Sequence, residues 1–167
     1  MELTKDVVLR GDAWVKATDK LAPIFKTRPH YMIFMLAMSI GIMYDQRIEE
    51  LESSTDEKKE IGRNVLQNND NGRLDFMFQA AVLSTTTKEF TEEERLDLAF
   101  GEKTDFYKMG FLIEFANFGV TKLVDLIADT TLETMENIKN FLASTVEGRN
   151  LDVDGIPDDY LLLDDGE

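Results

Sequence analysis

His30 and 33 carboxylates are the side chains with which this 167-residue chain could carry out acid–base or metal chemistry. There is no cysteine, which excludes thiolate nucleophiles, disulfides, thiolate zinc sites and iron–sulfur clusters together. A Ser–His–Asp relay would need His30. That residue opens an apolar and aromatic stretch, and no Gly-x-Ser-x-Gly elbow exists to present a serine. At such a place a histidine is expected to make a local hydrogen bond. A His-Glu-x-x-His zinc site cannot be built from one histidine, and the ten glycines are too scattered to form a phosphate-cradling loop.

Two carboxylate patterns come closer to a metal site. Asp45 with Glu57-Lys58-Lys59 echoes nucleases in which acidic residues hold a metal and a lysine assists an attacking water. That chemistry needs its Glu-x-Lys on a core strand, and here the segment lacks apolar flanks, so a solvated charged stretch is the expectation. Asn150-x-Asp152-x-Asp154-Gly155 has the alternating oxygen ligands and sharp turn of a calcium loop, but its twelfth position is Leu161 where a bidentate acid is required. An acidic turn is the simpler reading. No cofactor is expected, and a carboxylate-and-Mg²⁺ enzyme is the least favoured class.

The formal charge of −15 disfavours non-specific nucleic-acid binding, because the chain as a whole repels phosphate backbones. Lys26-Thr27-Arg28 with His30 is a local basic spot that could touch a phosphate. Residues 151–167 hold seven acidic residues and no basic one, together with Ile156, Tyr160 and Leu161-Leu162-Leu163, which a merely solubilising tail would not need. Asp158, Asp159, Tyr160, Leu161, Leu162 and Leu163 are therefore candidate partner contacts. Met32, Met35 and Met38, with Met43 beyond, are either core at helical spacing or an adaptable partner-binding groove. The most apolar run, 31–44, is about 14 residues against the ~20 that a membrane-spanning helix needs. With no secretory pattern at the N-terminus, a cytoplasmic protein is expected.

The elements that would position these residues are mostly helical. A short helix is expected around 12–20, then extended residues 23–26, and a helix from Pro29 to Ile40 stopped by Gly41. Segment 55–67 is either a short helix or an extended edge, and 68–72 is a turn. Further helices are expected at 73–83, at 91–100 behind a Thr91–Glu94 capping box, at 104–118 ended by Gly119, at 120–128 and at 132–146. In the last of these Met135, Ile138, Phe141 and Leu142 carry the apolar spacing. The expected fold is mainly α: a compact single-domain bundle of five or six helices over residues 1–150, followed by the acidic tail 151–167. Extended Ile24-Phe25-Lys26 would permit a short N-terminal strand, including pairing between two copies of the chain.

Ile24-Phe25-Lys26-Thr27 followed by Met32-Ile33-Phe34-Met35-Leu36-Ala37-Met38-Ser39-Ile40-Gly41 resembles the opening of small accessory proteins of bacterial DNA phosphorothioation (Dnd) systems. Arg73-Leu74-Asp75-Phe76-Met77-Phe78-Gln79-Ala80-Ala81-Val82-Leu83 resembles that family's central apolar helix. Ile113-Glu114-Phe115-Ala116-Asn117-Phe118-Gly119-Val120-Thr121-Lys122-Leu123 resembles its Glu- and Asn-Gly-bearing segment. The likeness spans residues 23–145; Phe118 replaces a glycine of the family pattern, and the acidic tail has no counterpart in it. The resemblance implies a non-catalytic accessory component of a DNA-modification or phage-defence system that binds a larger DNA-processing protein, and it transfers no catalytic residue. Ala116-Asn117-Phe118-Gly119 also reads as a helix end. The alternative from charge alone is an acidic DNA mimic occupying a nucleic-acid site on another protein.

Overall fold

The computed structural model describes residues 3–101 and 105–147. The tail candidates 158–163 and the calcium-like Asn150, Asp152 and Asp154 lie outside the described residues. Within them the chain is mainly α, with seven helices and one two-stranded sheet: β1 (Val7–Arg10), α1 (Asp12–Leu21), α2 (Pro29–Tyr44), β2 (Lys58–Ile61), α3 (Arg63–Asp70), α4 (Arg73–Ser84), α5 (Glu92–Phe100), α6 (Lys108–Asp125) and α7 (Thr131–Glu147). No helix among the described residues is long and apolar enough to cross a membrane.

The organising contact is between α2 and α6. Helix α2 is apolar nearly all round, and Tyr31, Ile33, Phe34, Ala37, Met38, Ile40 and Gly41 are buried. It crosses α6 where both helices carry small residues. A Cβ on Gly41 would sit 2.0 Å from the Phe115 carbonyl oxygen, and one on Gly119 would sit 1.7 Å from that of Ala37. The two backbones therefore touch directly, each glycine receiving the other helix.

This overturns two sequence expectations. Gly41 does not stop α2, which runs to Tyr44 and closes at left-handed Asp45 (φ 48°), where the Asp45 amide donates to Ile42 and the Gln46 amide to Gly41. Nor does Gly119 break α6, so the helices expected at 104–118 and 120–128 are one continuous element starting at Lys108. A glycine selected for close approach looks, locally, the same as one selected to end a helix.

The short strand is present at another place. Ile24 and Phe25 donate to the Leu21 carbonyl at 2.9 and 3.1 Å, so residues 23–26 form a turn and offer no edge for pairing between copies. The strand is β1, in which Val7 and Leu9 point into the core; it pairs antiparallel with β2, Val7 opposite Ile61 and Leu9 opposite Lys59. Segment 55–67 contains both alternatives in succession, β2 and then α3. Helix α5 begins behind the expected capping box: Glu94 N–H donates to Thr91 Oγ1 at 3.2 Å, and Thr91 N–H donates to Glu94 Oε2 at 2.9 Å. Helix α7 matches the expected 132–146, with Ile138 buried and Phe141 and Leu142 packed against the core, but Met135 faces out.

Candidate functional site

The segment after α2 is strapped across α6 by the residues that looked like a helix end. Arg47 donates to the Glu114 carboxylate at 2.6 Å and to Thr87 Oγ1 at 2.9 Å, and its guanidinium lies 5.1 Å from the Phe111 ring centroid. The Ile48 amide donates to the Glu114 carbonyl at 3.0 Å. Buried Asn117 spends its whole side chain on this junction: Oδ1 accepts from Trp14 Nε1 at 2.9 Å, and Nδ2 donates to the carbonyls of Ile48 and Glu49 at 3.0 and 3.2 Å. The Asp12 carboxylate then accepts from the Ser54 amide at 2.9 Å. The result is a fixed loop bearing exposed Glu49, Glu50, Glu52, Asp56 and Glu57. Most of these line a cleft of about 650 Å³ that also meets Arg10 and Ile113. No three His, Asp or Glu among the described residues are placed to hold a metal ion together.

The other sequence candidates are dispersed. His30 Nδ1 lies 3.1 Å from the Glu60 carbonyl, which can only accept, so the ring proton sits on Nδ1 and ties the start of α2 to β2. Lys58 and Lys59 do lie on a strand. Lys59, however, pairs with Asp19 at 2.8 Å and Glu57 at 3.0 Å, whereas Asp45 accepts from the Thr86 amide and hydroxyl at 2.6 and 2.7 Å. The nuclease-like grouping is thus pulled apart. Of the methionines on α2, Met38 is fully buried and Met35 packs against the core, leaving only Met32 substantially exposed. They form no common groove because α2 is the central helix.

Asp45 has a titration consequence. Burial pushes its carboxyl up, but hydrogen bonds from Thr85 and Thr86 and the charge of Arg47 outweigh this and hold it below the ordinary carboxylate range. A depressed folded-state pKa contributes stability above the unfolded value and loses it as pH falls through the folded one. The stability gap between the native chain and Asp45→Asn is therefore expected to be constant above about pH 5 and to close below about pH 4, as read from denaturant melts at each pH. Asparagine keeps the left-handed cap accessible, so the variant isolates the charge.

Sequence reading missed the exposed apolar residues of α4 and α5. Helix α5 docks on α4 through buried Leu98 and Ala99 and through Arg95, which donates to the Val82 and Thr85 carbonyls. Its opposite face presents Leu96 and Phe100, 49% and 65% exposed, in a shallow groove with Glu92, Glu93 and Asp97. Phe76 on α4 is 67% exposed. The signal was available as an i, i+4 apolar pair set among acids, since one face of α5 already supplied its burial.

No family model, curated protein or solved structure matches the chain. The geometry, with the resemblance noted in the sequence, is what bears on function. It offers an apolar strip edged with carboxylates on α5 and an acidic loop at 49–57 fastened by Asn117 and Asp12.

Proposed function

We propose that the chain is a non-catalytic accessory protein that binds a larger DNA-acting protein of a DNA-modification or phage-defence system. The observation that carries this reading is the α5 face: Leu96 and Phe100 exposed one helical turn apart and flanked by Glu92, Glu93 and Asp97. Two large apolar side chains left in water by a helix that is otherwise well docked favour a macromolecular partner. The flanking carboxylates favour a partner segment that is basic and amphipathic, laid helix against helix. The resemblance to Dnd accessory proteins suggests the system in which such a partner would be found, and the leucine-bearing acidic tail adds a second candidate contact, Asp158 to Leu163.

The experiment is a tagged pull-down from the native host with nuclease treatment, comparing the native chain with Leu96→Asp/Phe100→Asp. Both positions are exposed, so the double variant should melt within about 1 kcal/mol of the native protein. Partner retention is expected to fall at least about tenfold. Retention unchanged by the double variant would remove α5 from the interface.

A second reading is favoured by the loop at 49–57, whose backbone is fastened by Asn117 and Asp12 while its carboxylates face solvent: an acidic DNA mimic that occupies a nucleic-acid site on another protein. It differs in its salt dependence, because an interface of carboxylates against a basic groove weakens steeply as salt rises.

A further inference from the structure

A cleft of about 440 Å³ lies where the start of α2 meets the turn between α3 and α4. Lys26, Arg28 and Arg73 line it and no carboxylate does, in a chain with 33 acidic residues against 18 Lys and Arg. The sign of the surface is thus reversed locally. Asp70, the last residue of α3, is engaged by the Leu74 amide at 2.6 Å, and none of the three cations takes part in an ion pair among the described residues. Arg28 donates to the Asn69 side-chain oxygen, which fixes one nitrogen of the guanidinium and leaves the remaining N–H groups for another acceptor.

The backbone around the cleft is held in conformations that cost energy. Arg28 (φ 54°) and Asn71 (φ 45°) both adopt the left-handed region, which asparagine tolerates and arginine rarely enters, and Gly72 follows at φ 78°. The wall is apolar where the cations are not: Phe25, Tyr31 and Met32 line the same cleft, and the Tyr31 hydroxyl donates to the Asn69 carbonyl at 3.3 Å.

We propose that this cleft binds a small phosphate monoester with an aromatic or apolar body, the phosphoryl oxygens on Lys26, Arg73 and the free edge of Arg28, and the body against Phe25 and Met32. Inorganic phosphate would leave the apolar wall unused, and a neutral aromatic would leave three cations unpaired. A nucleic-acid strand would have to bring further phosphates along a surface of net charge −15. The site is independent of the α5 face.

Calorimetric titration of the full chain with phenyl phosphate is expected to give one saturable site, with inorganic phosphate at least about tenfold weaker. Lys26 and Arg73 are exposed, so Lys26→Ala and Arg73→Ala should leave the melting temperature in place while each weakens phenyl phosphate about tenfold. The proposal is overturned by any of four results: no phenyl phosphate binding at millimolar concentration, equal affinity for inorganic phosphate, native affinity in the Lys26→Ala/Arg73→Ala double variant, or binding of a single-stranded oligonucleotide but not of phenyl phosphate.

Discussion

Gly119→Ala is expected to lose about 3 kcal/mol or more of stability, lowering the melting temperature by about 10 °C. The new Cβ would lie 1.7 Å from the Ala37 carbonyl oxygen and 2.6 Å from its carbon. Those are backbone atoms of a helix, so no rotamer change relieves the clash, and α2 and α6 must move apart along the contact that buries the core. Gly41→Ala should behave alike, because its Cβ would meet the Phe115 carbonyl at 2.0 Å. Against a total stability on the order of 5–15 kcal/mol, either change removes a substantial share. Gly62→Ala is the control: nothing lies within 4 Å of its added Cβ, and its φ of −59° suits any residue. Denaturant melts of the three variants check this, and a Gly119→Ala loss as small as that of Gly62→Ala would mean that the helices do not cross at these residues.

The next largest effect is expected at Asn117. Leucine there would fill the volume but leave the Trp14 indole N–H without its acceptor and the Ile48 and Glu49 carbonyls without a donor, at a cost of about 3 kcal/mol. Part of that cost belongs to the Trp14 pair. Trp14→Phe alone carries its own packing loss, but combined with Asn117→Leu it should be milder than the sum of the two, with a coupling of about 1 kcal/mol. Because Asn117 also fastens the loop at 49–57, amide exchange in that loop should accelerate in Asn117→Leu well beyond what global destabilisation gives. Strict additivity of the two substitutions, with unchanged loop exchange, would deny Asn117 its joining role.

The helical class was legible because α4, α5 and α7 carry local signals: an apolar run, a capping box and three- and four-residue spacing. What was not legible depended on residues far apart in the chain. Gly41 and Gly119 read as helix stops because the feature that explains each of them is a carbonyl on the other helix. Asn117 read as part of a helix end for the same reason, its partners being Trp14 and the 48–49 carbonyls. Strand β1, Val7-Val8-Leu9-Arg10, is four residues long and does not alternate in sequence, and β2, Lys58-Lys59-Glu60-Ile61, carries one apolar residue. The cationic cleft was half visible, in Lys26 and Arg28; Arg73 joins it only through the reversal at Asn71 and Gly72. The methionine run was real in sequence and misleading as a surface, since α2 became the centre of the core.

The accessory-protein reading and the DNA-mimic reading part most clearly in one measurement, the nuclease-treated pull-down from the native host repeated at 0.1 and at about 0.5 M salt, with duplex DNA added as competitor. An apolar α5 interface predicts a stoichiometric DNA-acting protein retained at both salt concentrations, undisturbed by duplex DNA and lost with Leu96→Asp/Phe100→Asp. A complex that dissolves at the higher salt and is displaced by duplex DNA, or no retained DNA-acting protein at all, would contradict it.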